Sequence, residues 1–448
     1  MSEMADRVDA LIEQLTSSSW RTRRSACIQL GELGDVRAFE PLLQRLGDEN
    51  SDVRAAACRA LGALGDVRAV EPLLQRLGDE DSDIRAAASN ALGKLGFGAE
   101  AQLLSEALGA KTEAVEQLRA RIAGGEERLW RPLLAALADS KADFAAVSRL
   151  LGALGDVRAF EPLLQRLGDE EWSVRAAACR ALGALGDVRA FEPLLQRLGD
   201  EDSDVRMAAC RALGALGDVR AFEPLLQRLG DKNDWVRAAA CRALGALGDV
   251  RAFEPLLQRL GDRYSRVRAA ACRALGALGD VRAFEPLLQR LGDGAKDVRA
   301  AACEALGALG DVRAVEPMLP LVEPEPGFGY GDIQTAACVA LAKLGCERIW
   351  EKIPGMLKSQ NEVARVAACE AMGILGGERA VRTLLRQLNS EYSSVRAAAC
   401  KALGRIGDAR AVNAIIQLTL QEKHQEVLEA AQEALNRLLP APQQGESS

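Results

Sequence analysis

Residues 187–217, DVRAFEPLLQRLGDEDSDVRMAACRALGALG, return nearly verbatim along most of the chain with a period of 31. The opening DVRAFEPLLQRLGD also stands at Asp35, Asp156, Asp218, Asp249 and Asp280, and close variants begin at Asp66, Asp311, Cys346, Gly377 and Asp408. A length of 448 residues would otherwise suggest about three ordinary domains. A fixed period of this size replaces that reading with one elongated array of repeats.

Each unit reads as two helices. In the first, Phe39, Leu42, Leu43 and Leu46 fall at i, i+3, i+4 and i+7, an amphipathic stripe. Asp35 is the expected N-cap, and Pro41 is tolerated if the helix begins just before it. Gly47 and Asp48 break the chain. The second helix carries Val53, Ala56, Ala57, Ala60, Leu61 and Leu64 on one face, and Gly65 stands where a left-handed C-cap is wanted. Gly62 inside that helix costs roughly 1 kcal/mol relative to alanine, which suggests close approach of a neighbouring helix. One hairpin cannot bury its own apolar faces, so neighbours must stack. The expected fold is all-α, a right-handed α-solenoid (α/α superhelix) of about 14 stacked helical hairpins.

Residues 1–34 are read as an N-terminal capping pair and 35–96 as regular repeats. Residues 97–155 are divergent helical pairs, and 156–310 are near-identical repeats. Residues 311–407 are repeats with a Pro/Gly/aromatic insertion at 323–331. A C-terminal capping pair at 408–438 precedes a tail, 439–448, expected to be disordered.

With 48% hydrophobic and 27% charged residues the chain can bury a continuous core. No apolar run approaches the ~18 residues of a membrane span, and MSEMADRVDALIEQL lacks the plan of a secretion signal, so a cytoplasmic, monomeric protein is expected. A net charge of -7 argues against general attraction to nucleic acid or an anionic membrane. Eight of the 11 cysteines (Cys58, Cys179, Cys210, Cys241, Cys272, Cys303, Cys369 and Cys400) share one repeat column and read as small buried thiols. There is no CxxC pair, and His424 is the sole histidine; no metal, cofactor or catalytic constellation is expected.

The pattern LGxLGDxRAxxPLLxxLxDxxxxVRxAAxxALG resembles the short HEAT-like repeats of phycobilisome lyase subunits and of deoxyhypusine hydroxylase, and equally consensus-designed HEAT arrays. The resemblance covers nearly the whole chain. It implies the fold, and it leaves scaffold, chaperone-like or lyase subunit, metal oxygenase and DNA-repair roles to be separated. In the oxygenase family, His-Glu pairs after the Val-Arg of the second helix supply iron ligands. Here those positions hold Ala55 and Ala56, Ala86 and Ala87, Ala176 and Ala177, Met207 and Ala208, and Ala238 and Ala239. That chemistry is therefore rejected, and the chain is read as no enzyme.

Two sets of residues are candidates for recognition. Arg59 lies opposite the apolar stripe, and its column continues through Arg149, Arg180, Arg211, Arg242 and Arg273 before changing to Glu304. If second helices line the concave surface, as the resemblance implies, this column is a positive stripe suited to carboxylate or phosphate. The competing reading is a solvated face neutralised by nearby acids. The second set lies where the near-identical copies differ, at EEWSV, EDSDV, KNDWV, RYSRV and GAKDV. Trp172, Trp235, Tyr264 and Arg266 stand out there, residue types enriched at interface hot spots; the rings could instead cap their own hairpins.

By contrast, the column of Arg54, Arg85, Arg175, Arg206, Arg237, Arg268, Arg299 and Arg396 is expected to build an inter-repeat ladder with the Asp35-type residues. The leading reading is a scaffold for a protein or peptide, with a phycobilisome-lyase-like or chaperone-like subunit, or nucleic-acid binding through the arginine stripe, as alternatives.

Overall fold

A computed structural model describes residues 2–323 and 331–439. Most of the 323–331 insertion and nearly all of the C-terminal tail lie outside them. The described residues contain 28 α-helices in 14 successive pairs, stacked as an α-solenoid. By contact the chain divides into two units, Met1–Asp218 and Val219–Ser448.

The local grammar of one repeat explains its shape. The Asp156 carboxylate accepts the Arg158 amide at 3.0 Å and starts a 3-10 turn, Val157–Ala159. An α-helix, Phe160–Gln165, follows and places Pro162 in its first turn, where the missing N–H is harmless. The second helix, Trp172–Leu185, ends at Gly186 with φ 73°, a left-handed conformation that favours glycine.

Second helices of adjacent repeats pack side by side at very short range. A Cβ on Gly183 would lie 2.7 Å from Ala212 Cα, and one on Gly245 2.8 Å from Ala274 Cα. That close approach is what the costly mid-helix glycine allows. All 11 cysteines are free and buried, and burial raises thiols such as Cys58 and Cys272 to about 12.

The arginine ladder exists, with a different partner from the one expected. Arg54 pairs with Asp79, Arg175 with Asp200, Arg237 with Asp262 and Arg268 with Asp293, each 25 residues on. These aspartates follow the Leu-Gly that ends each first helix. The Asp35-type residues are occupied instead by the arginine two residues later, as Asp35 is by Arg37. The physical reason is position: an Asp35-type carboxylate caps its own 3-10 turn, whereas the Asp79-type carboxylate reaches the next-door second helix. The same ladder arginines tie down their own turn, Arg237 Nη1 donating to the carbonyls of Asp231 and Lys232.

In the first unit the two layers part at residues 97–126. The Val70–Arg76 helix packs directly against Glu127–Ala136; of the three helices between them, Ser82–Lys94 is its own partner and the next two are skipped. The backbone seals this junction, Glu80 donating to Lys141 O at 2.8 Å and Asp143 to Gly78 O at 2.7 Å. The skipped helices, Gly98–Leu108 and Thr112–Ala123, form a hairpin wedged on the second-helix side between Ser82–Lys94 and Phe144–Leu154.

Candidate functional site

In the second unit the variable turns form an exposed aromatic and cationic edge. Asn233 caps the Asp234–Leu247 helix, its Oδ1 accepting from the amides of Trp235 at 2.8 Å and Val236 at 3.3 Å. Trp235 keeps 47% of its surface exposed. Arg266 occupies the same column one repeat later, and its guanidinium lies 3.6 Å from the Trp235 ring centroid while pairing with Asp234. Tyr264, at the start of the Ser265–Leu278 helix, is 40% exposed and is flanked by Arg263 at 4.6 Å and Arg237 at 5.5 Å. Trp235 is thus stacked by the next repeat rather than by its own hairpin. Each exposed cation–π pair is worth about 0.5–1 kcal/mol, enough to hold a rotamer while leaving the ring edge open. Trp172, 44% exposed, begins the Trp172–Leu185 helix of the first unit.

The Arg59 column is solvent-exposed throughout. In the first unit, desolvation and the neighbouring Arg211 charge lower the pKa of Arg180, while the Cys179 thiol and Asp204 oppose them. Arg180 and Arg211 stand on adjacent second helices, with the Asp204 carboxylate close to Arg180. Arg149 is diverted, its Nη2 donating to Leu108 O at 2.9 Å. In the second unit Arg242 is exposed, and Arg273 is neutralised by Glu304 at 2.6 Å.

Sequence reasoning passed over a cleft of about 510 Å³ where the inserted hairpin opens the second-helix layer. Arg85 and Ser89 approach it from Ser82–Lys94, Ser105 from Gly98–Leu108, and Asp143 and Arg149 from the stretch around Phe144–Leu154. Its signal was present in the chain: 25 residues after Arg85, where the ladder needs an aspartate, stands Ala110.

The sequence profile described as HEAT repeats matches residues 8–93, 39–123, 130–207, 191–271, 253–328 and 353–436. The chain belongs to the HEAT-repeat family. As a HEAT array it is similar to the CpcE and CpcF complex of phycocyanin lyase from Nostoc sp. PCC7120, at 24% identity and TM-score 0.40, over 56% of this chain and 94% of that one. Yeast importin-beta (Kap95p) is similar at 14% identity and TM-score 0.49, over 96% and 72%. Human deoxyhypusine hydroxylase is similar at 24% identity and TM-score 0.27, over 56% and 96%. Comparison with curated protein sequences yields no match.

Ala55, Ala56, Ala176, Ala177, Ala238 and Ala239, which follow the Val-Arg of their second helices, are buried. His424 starts the terminal Gln425–Leu438 helix, its Nδ1 2.9 Å from Glu422, which also pairs with Arg396. Arg396 and Glu422 form the last rung of the arginine ladder among the described residues, and His424 lies beside it. Among the described residues no helix is long and apolar enough to cross a membrane.

Proposed function

We propose that this HEAT array is a cytoplasmic, monomeric, non-catalytic scaffold that binds a protein or peptide along its second-helix face and the adjoining turn edge. The observation that carries the reading is the Trp235, Arg266 and Tyr264 edge: large rings left 40–47% exposed, each steadied by arginine, at the turns where otherwise near-identical copies differ. A repeat array gains specificity where its copies diverge on an accessible surface, and Trp, Tyr and Arg lead the hot-spot residue types. The exposed pair Arg180 and Arg211 in the first unit supports a partner carrying acidic groups. Nucleic acid is favoured less, because Glu304 neutralises the last arginine of the stripe. No observation singles out a bilin, so the lyase-like alternative stands behind the scaffold reading.

Affinity capture with mass spectrometry identifies the partner, and titration of wild type beside Trp235→Ala/Arg266→Ala measures the edge. Loss of a hot-spot ring costs about 2 kcal/mol or more, roughly thirtyfold in affinity. Equal affinity of the variant, with helicity intact, would remove the edge from the binding surface.

A further inference from the structure

The Arg85 cleft goes beyond the scaffold reading and does not depend on it. Elsewhere in the first unit the ladder arginine is saturated: Arg54 and Arg175 each direct Nε and Nη2 onto both oxygens of an aspartate from the next repeat, and Nη1 onto two carbonyls. Arg85 keeps the second half of this arrangement, Nη1 donating to the carbonyls of Asp79 at 2.8 Å and Glu80 at 2.9 Å. Among the described residues no carboxylate reaches its remaining edge. The aspartate that the next first helix brings, Asp139, is taken by Arg76 and Gln75. The wedge of residues 98–123 holds the layers open, so the fork that is filled by Asp79 or Asp200 elsewhere lines the cleft instead.

We propose that this cleft is a carboxylate-binding site, in which Arg85 takes through Nε and Nη2 an acidic side chain supplied by another polypeptide. The precedent lies in this chain: the same residue, anchored through the same Nη1, grips an aspartate in neighbouring repeats. A planar guanidinium edge matches a carboxylate bidentately, and a volume of about 510 Å³ admits a short peptide segment. Arg149, exposed on the opposite wall and without an ion-pair partner among the described residues, adds a second positive charge. The hydroxyls of Ser89 and Ser105 supply hydrogen-bonding groups. Two carboxylates line the cleft, one ion-paired and buried, the other exposed and without an ion-pair partner among the described residues, so the two arginines outnumber the single uncompensated acid. Asp79 is buried between Arg54 and Arg76, and Asp143 Oδ1 accepts the Ala146 amide at 3.0 Å.

The probe is a fluorescein-labelled, C-amidated peptide of sequence Leu-Gly-Asp-Glu-Asp, that of residues 198–202, titrated into the full chain at low ionic strength and read by anisotropy. Its amide counterpart, Leu-Gly-Asn-Gln-Asn, and inorganic phosphate as competitor are run beside it. Saturable binding of the acidic peptide alone, weakened at least about tenfold by Arg85→Gln, is the expected result. Because Arg85 also braces its own turn, Ser89→Glu is the second variant: a glutamate four residues along the same helix places a carboxylate beside Arg85, and should abolish peptide binding with the far-UV spectrum unchanged. Equal binding of acidic and amide peptides, undiminished binding in Ser89→Glu, or no saturable binding to wild type would overturn the proposal. Binding of phosphate through Arg85 without the peptide would overturn the carboxylate assignment.

Discussion

Gly62 and Gly93 occupy the same repeat column, and the structure assigns opposite signs to the same substitution at the two sites. A Cβ at Gly62 would lie 2.7 Å from both Cα and Cβ of Ala91, whereas one at Gly93 meets nothing within 4 Å. Carbon atoms rest at about 3.5–4.0 Å, so Gly62→Ala must drive two second helices apart by about 0.8 Å. The obstructing atoms are backbone and the first methyl of a side chain, which cannot rotate away. Overpacking therefore falls near the top of its usual range, about 3 kcal/mol, against about 1 kcal/mol gained in helix propensity. Gly62→Ala is expected to destabilise by about 2 kcal/mol, and Gly93→Ala to stabilise by up to about 1 kcal/mol. Urea unfolding followed by far-UV circular dichroism gives the direction. A repeat array unfolds by neighbouring units, so amide exchange over residues 51–94 localises the change. If the two alanines shift protection in the same direction, the layers do not open at Gly93.

Arg237→Ala would strip Asp262 of its bidentate partner and two turn carbonyls of their donor. A loss of about 3–5 kcal/mol is expected, read as faster amide exchange in residues 231–268; unchanged exchange would remove the ladder from the stability of the stack. Acid should reveal the same carboxylates. Hydrogen bonds from Arg268 hold Asp293 below its ordinary 3.8, and at Asp262 the upward push of burial is outweighed by bonds from Arg237 and the Tyr264 amide. A carboxylate with a depressed folded pKa stabilises fully above its unfolded value, and that stability is lost as pH falls through the folded value. With one histidine in the chain, the urea midpoint should stay level from about pH 7 to 5 and fall below about pH 4. A decline already complete at pH 5 would contradict this assignment.

Much of the fold was legible in the chain because its causes are local. The 3.6-residue stripe of Phe39, Leu42, Leu43 and Leu46, the Asp35 cap, the early Pro41 and the left-handed Gly65 all act within one or two turns. Even the cost of Gly62 pointed to a close neighbour, and Ala91 is that neighbour. Trp235, Tyr264 and Arg266 could be nominated because they interrupt a repeat; that Arg266 covers Trp235 follows from a shared column one period apart.

What the tertiary structure decided depends on which helices become neighbours. Asp66 and Asp79 are both aspartates of the repeated frame, and only stacking shows that Arg54 reaches Asp79 while Asp66 is occupied by Arg68. Likewise, the sequence shows divergence between residues 97 and 155, but not that Val70–Arg76 packs on Glu127–Ala136 across it. Periodicity is enforced by short-range sterics along one helix and can be read from spacing. Pairing across repeats is set by the path of the whole chain, and one inserted hairpin is enough to move Asp139 to Arg76 and leave the edge of Arg85 facing a cleft.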